Sequence, residues 1–129
     1  MAVTGFNHYN LRAQRDLLEQ LKTFYCDVLG FVPGARPAFR SFGYWLYTGS
    51  QDIVHLSEAA PGEFRATHVV TTLDHVAFSC TNSAAMEQTL QQHDIAYQTR
   101  FVAQTGIKQL FFHDPAGNGV ELNFASEVS

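Results

Sequence analysis

Four side chains able to ligate a metal fall on nearly one period. His8 and His75 are 67 residues apart, and His55 and Glu121 are 66 apart. The elements around them recur in the same order. A repeat built from supersecondary units implies that the halves bury a surface against each other or against another copy.

The first half begins with alternation. Asn7, Tyr9 and Leu11 share one face, and Phe6, His8 and Asn10 the other. This period of two reads as a half-buried strand. Asp16 stands three residues before Glu19, the spacing of a capping box, in which a short acceptor and a Glu satisfy free amides at a helix start. Leu17, Leu21, Phe24 and Val28, with Leu18, Tyr25 and Leu29, then recur at helical spacing, and Gly30 supplies a left-handed stop. Pro33, Gly34 and Pro37 read as loop punctuation. The aromatic-rich segment Phe39 to Thr48 reads as one or two strands, Gly49-Ser50 as a turn, and Ile53 to Leu56 as a last strand. The expected order is strand, helix, strand, strand, strand.

Glu58 to Thr71, with its AAPGE, looks like a linker, and the order then recurs. In Thr72 to Cys80, Val76, Phe78 and Cys80 lie opposite His75, Ala77 and Ser79. Asn82 or Ser83 can cap a helix carrying Met86 and Leu90 that ends near His93 and Asp94. Tyr97 to Ala103 and Ile107 to Phe112 read as strands. Asp114-Pro-Ala-Gly-Asn-Gly119 is a turn, and Val120, Leu122 and Phe124 alternate with Glu121 and Asn123. In both halves the apolar face of the strands lies opposite the ligand candidates. Those faces are expected to pack on the helices, at roughly 2 kcal/mol per well-buried side chain, leaving His8, His55, His75 and Glu121 on the concave side.

Composition narrows the classes. The chain has 129 residues, 46% hydrophobic and 16% charged, enough apolar material for a core. A net charge of −4 offers no basic footprint for a nucleic acid. The start MAVTGFNHYN has no basic stretch followed by an apolar one, so no signal peptide is expected. No run of about 18 apolar residues is present to span a membrane. Cys26 and Cys80 are too few for a disulfide scaffold; they read as buried reduced thiols, and the expected compartment is the cytoplasm.

FNHYNL around His8, LKTFYCDVLGF from Leu21, LDHVAF around His75 and FFHDPAGNGVELNF from Phe111 together resemble the vicinal-oxygen-chelate superfamily. That superfamily includes glyoxalase I, fosfomycin-resistance proteins, methylmalonyl-CoA epimerase and extradiol dioxygenases. The resemblance implies an α+β fold. Two βαβββ modules, about 3–58 and 72–126 with a linker at about 59–71, form one domain of curled mixed sheets around a metal cavity. It implies a metal held by His8, His75 and Glu121, with His55 at the fourth position, where glyoxalase I has a glutamate and the epimerase a glutamine. It also implies a homodimer, His8 and His55 coming from one chain and His75 and Glu121 from the other.

An ionised carboxylate at an interior position such as Glu121 needs a partner, and a cation is one solution. Nitrogen and oxygen donors of this kind suit Fe, Mn, Ni, Co or Zn in the divalent state. Such a metal with open positions can bind two adjacent oxygens of a small substrate and stabilise developing negative charge, with Glu121 as general base. The first reading is therefore a glyoxalase-like lyase or isomerase. Alternatives are an extradiol-type dioxygenase, a thiol transferase, and a non-catalytic drug- or ligand-binding resistance protein. Arg40, Trp45 and Tyr47, with Tyr44, are candidates to line the substrate cavity; His68, His93 and His113 read as surface residues.

Overall fold

The computed structural model describes residues 2–125, so the expected end of the second module at 126 lies outside the described residues. The chain divides into two compact units, with the boundary between Ala66 and Thr67. Among the described residues, no helix is long and apolar enough to cross a membrane.

In the first unit, β1 (Tyr9–Ala13) leads to α1 (Arg15–Thr23), a π-helical turn (Phe24–Val28), β2 (Val32–Gly34), β3 (Gly43–Thr48) and β4 (Gln51–Glu58). The sheet order is β1-β4-β3-β2, with β1 and β4 parallel and the other pairs antiparallel. Helix α1 packs on β1 and β4. Leu18 and Leu21 are fully buried, and the π-helical turn adds Phe24, Tyr25 and Val28. One extra residue in that turn lets adjacent aromatics both face inward. The segment stops at Gly30 as expected: φ is +82°, and its amide donates to the Cys26 carbonyl at 3.1 Å.

Three details differ from the sequence reading. The helix starts two residues earlier than the capping box implies. Gln14 is the N-cap without a side-chain cap, and Asp16 sits in the first turn, where a carboxylate favours the helix dipole. Glu19 instead accepts from the Tyr44 hydroxyl at 2.7 Å, tying β3 to α1 and pushing the Tyr44 phenol above its usual range. Pro33 and Gly34 lie in a strand, not a loop. That strand is the sheet edge, where a missing amide costs nothing. The strand from the aromatic segment starts at Gly43, leaving Phe39 outside it.

The second unit repeats the topology. Its elements are β5 (Val76–Cys80), α2 (Ser83–Gln92), β6 (Gln98–Val102), β7 (Ile107–His113) and β8 (Gly119–Phe124), in the order β5-β8-β7-β6. Both sheets are mixed, and each unit has the βαβββ order expected of this α+β fold. Asn82 caps α2, its side chain accepting from the Ala85 amide at 3.1 Å. Asp114 organises the turn before β8 by accepting from the amides of Ala116 and Asn118, both at 2.9 Å. Val120, Leu122 and Phe124 are buried, with Leu110 and Phe112 from β7. Cys26 and Cys80 are free and half-buried rather than fully buried; desolvation pushes both thiols up.

Candidate functional site

The first strands begin later than alternation implied, so His8 and His75 each stand one residue ahead of their strand. The parallel pairings then reproduce one relation twice. Asn10 is opposite His55, and Ala77 is opposite Glu121. Each histidine is thus two residues before the partner of the second candidate ligand, within reach across the strand pair.

In the first unit this brings two imidazoles together. The His8 and His55 rings stack with centroids 3.7 Å apart and planes at 16°. Trp45, opposite His55 on β3, stacks on it at 4.1 Å and 11°. His55 is 5% exposed, and its Nε2 lies 2.7 Å from Asp52 Oδ2. That hydrogen bond is the main reason the Asp52 carboxyl sits below its usual range. His8 Nδ1 lies 2.6 Å from Asn7 Oδ1. These side chains line a cavity of about 650 Å³ that also takes Arg12, Arg36 and Arg65 into its wall.

In the second unit the pair is an imidazole and a carboxylate. His75 Nε2 lies 3.2 Å from Glu121 Oε1, and its Nδ1 lies 2.8 Å from Asp74 Oδ2. Glu121 is 7% exposed. Its other oxygen accepts from the amides of Gln109 at 3.2 Å and Asn123 at 3.3 Å, leaving Oε1 aimed at His75. Asp74 and these two amides are outer partners of the kind that orient metal ligands.

The donor chemistry suits a divalent cation. A neutral imidazole has one N–H, yet both ring nitrogens of His75 face carboxylate oxygens. One of those contacts therefore sets an acceptor nitrogen against an acceptor oxygen, an arrangement that a cation between them would satisfy. Gln109 Oε1 is buried without a hydrogen-bond partner, a further oxygen in want of a donor or cation. Among the described residues no group of three His, Cys, Asp or Glu side chains stands close enough together to hold a metal; each unit supplies a pair.

Of the residues expected to touch substrate, Trp45 lines the cavity of the first unit. Tyr47 turns to the edge, its hydroxyl donating to the Ala35 carbonyl at 2.5 Å and its ring filling the space over Gly34. Arg40 is exposed in the loop before β3 and is not part of the cavity lining. Tyr44 points to the helix face through its bond to Glu19. His68, His93 and His113 are exposed. Sequence reasoning missed Asp52 and the arginines at 12, 36 and 65. Asp52 carries a signal in hindsight, since a carboxylate three residues before a candidate histidine is a common way to hold its ring. The arginines carry none.

Residues 5–122 match the Glyoxalase/Bleomycin resistance protein/Dioxygenase superfamily. The chain is 32% identical to Glyoxylase I 4 of Arabidopsis thaliana over 124 residues, which cover 93% of this chain and 70% of that protein. A glyoxalase family protein from Enterococcus faecalis superimposes with a TM-score of 0.67 at 26% identity, covering 95% of this chain and 99% of that one. Lactoylglutathione lyase from Agrobacterium tumefaciens shares the fold at 18% identity, with a TM-score of 0.67 over 98% of this chain and 97% of its own. With the duplicated βαβββ topology and a match running nearly from end to end, the chain belongs to the glyoxalase, bleomycin-resistance and dioxygenase superfamily.

Proposed function

We propose that this protein is a divalent-metal-dependent enzyme acting on a small oxygenated molecule, with glyoxalase-like lyase or isomerase chemistry. The observation that carries the reading is the buried Glu121 carboxylate, held through Oε2 by two amides and facing His75 Nε2 through Oε1. His8, His75 and Glu121 are the proposed ligands, with His55 as a fourth. A complete set takes one pair from each unit, and in this reading the pairs come from different copies, making a homodimer. The free thiols of Cys26 and Cys80 suit a reducing compartment, and the cytoplasm is the proposed location.

A bound divalent cation supplies Lewis acidity to two adjacent substrate oxygens. The remaining work belongs to the chain. Oε1 of Glu121, the oxygen that the two amides leave on the His75 side, takes a proton from a substrate carbon; returning that proton to the neighbouring carbon, with a hydroxyl proton passing the other way between the two substrate oxygens, isomerises the substrate without net loss of atoms. Gln109 and Asn123 keep the carboxylate from rotating during that exchange. Asp74 fixes the His75 ring through Nδ1.

The test is elemental analysis after reconstitution, with sedimentation and turnover of a hemithioacetal on the same samples. Stoichiometric metal in the native protein, lost in both His75→Ala and Glu121→Ala, is the expected result. Retention of metal by either variant overturns the site. Native protein that takes up no metal is a ligand-binding protein instead, and iron-dependent ring cleavage of a catechol reassigns it as a dioxygenase.

A further inference from the structure

The geometry points to an anion-binding subsite on Arg36, fitted to the carboxylate of a small planar ligand lodged in the cavity of the first unit. This deepens the proposed function, because it rests on that cavity being where substrate sits.

The arginines in the cavity wall are not equivalent. Arg12 and Arg65 both reach Glu63, at 2.8 and 2.6 Å, so their charge is shared with a carboxylate already in place. Arg36 reaches no carboxylate among the described residues. Its Nη1 donates to the Ser41 carbonyl at 3.0 Å and its Nη2 to the Ser41 hydroxyl at 3.3 Å. Its Nε is buried and has no hydrogen-bond partner. A guanidinium has five N–H donors in a rigid fork, and a buried donor left unpaired is costly. Two of those donors are engaged by serine oxygens, so an anion has donors left to meet.

The guanidinium is also held in place. It lies beside the Phe39 ring, 4.9 Å from the centroid. Its Nη2 rests against Gly43, where an added Cβ would come within 3.0 Å of it and 2.1 Å of the Leu56 carbonyl. The close Leu56 carbonyl is what excludes a side chain at Gly43, and the guanidinium uses the space this leaves at the start of β3. The Phe39 and Trp45 rings in the same wall, inclined at 47° with centroids 6.2 Å apart, give the ligand body an aromatic surface to lie against beside the guanidinium. The anionic side chain that lines the wall, Asp52, is engaged by His55 and makes no ion pair with Arg36. A planar fork with free donors matches a carboxylate better than a point charge would.

Trp45 is the sole tryptophan of the chain, so its fluorescence reports occupancy of this cavity whatever the metal state. The experiment titrates the full chain with benzoate and with benzamide, its neutral near-isostere, in chelator-treated protein and again with added Zn²⁺. Benzoate is expected to bind roughly ten- to hundredfold more tightly, the worth of a charge-assisted hydrogen bond. Arg36→Gln should erase that preference while benzamide binding stays the same, Arg36→Lys should keep part of it, and Arg40→Gln should keep all of it. Equal affinity for the two probes, no binding of either, or a preference that survives Arg36→Gln overturns the subsite. The chelated samples test Arg36 alone, so a failure of metal retention at His75 and Glu121 is read separately.

Discussion

The two units place their candidate ligands at one register but are packed and charged differently. In the first, α1 and its π-helical continuation bury Leu18, Leu21, Phe24, Tyr25 and Val28; in the second, α2 buries Ser83 and Leu90. The first carries two stacked imidazoles under Trp45 in a cavity with arginines in its wall, and the second an imidazole against a buried carboxylate. The backbone relation between the first and last strands therefore sets where ligands can stand, while the side chains divide the labour. In the proposed function, the first unit holds an anionic substrate and the second moves a proton.

The comparison can be broken most forcefully in the cores. Leu56 and Leu122 are each 1% exposed on the equivalent last strands. Replacing either by Ala should cost about 3 kcal/mol, from lost burial plus the cavity left behind. Urea denaturation of both variants checks it. A Leu122→Ala cost under about 1 kcal/mol would mean that the second core relaxes where the first does not.

Turns come next. Gly30 and Gly117 both have positive φ, but a Cβ at Gly30 meets open space, whereas one at Gly117 falls 2.7 Å from the His68 Cα. Gly30→Ala should cost about 1 kcal/mol for the backbone alone. Gly117→Ala should cost about 2 kcal/mol or more, because main chain has to shift. Melting temperatures that fall equally in the two variants would remove the steric distinction.

The helix starts offer a smaller contrast. Asn82 caps α2 with its side chain, and Gln14 leaves α1 uncapped in an extended conformation that a serine can adopt. Asn82→Ala should lose about 1 kcal/mol. Gln14→Ser should gain no more than a few tenths, since it gives up the Gln14 bond to the Glu63 carbonyl. A gain equal to the Asn82 loss would show that this bond contributes nothing.

The smallest effect is electrostatic and confined to the first unit. Hydrogen bonds from Arg12, the Ala60 amide and Arg65 hold the Glu63 carboxyl at about 2, against an ordinary 4.5. The folded state therefore binds this proton more weakly than the unfolded chain does. The stability it contributes is fully present above the ordinary carboxylate range and is lost as pH falls through the folded value. Denaturation midpoints of the native protein should drop further on acidification than those of Glu63→Gln. Parallel acid curves would assign the loss to other groups.

The duplication, the element order, the stop at Gly30, the Asn82 cap and the turn at Asp114 were all legible in the residues, because each depends on local periodicity or on backbone preferences of single residue types. The common spacing of His8, His55, His75 and Glu121 was legible too, and the structure brings them together as two pairs. Other features depended on groups brought from far along the chain. Glu19 was drawn from a capping role to Tyr44, 25 residues on. Pro33 became a strand residue because it fell at a sheet edge. Asp52 under His55, Glu63 between two arginines and the solitary charge of Arg36 are likewise products of packing. A sequence read alone shows which side chains can bear charge, but only the folded chain decides which charges meet a partner, since Coulombic and hydrogen-bonding energies depend on distances that periodicity does not encode.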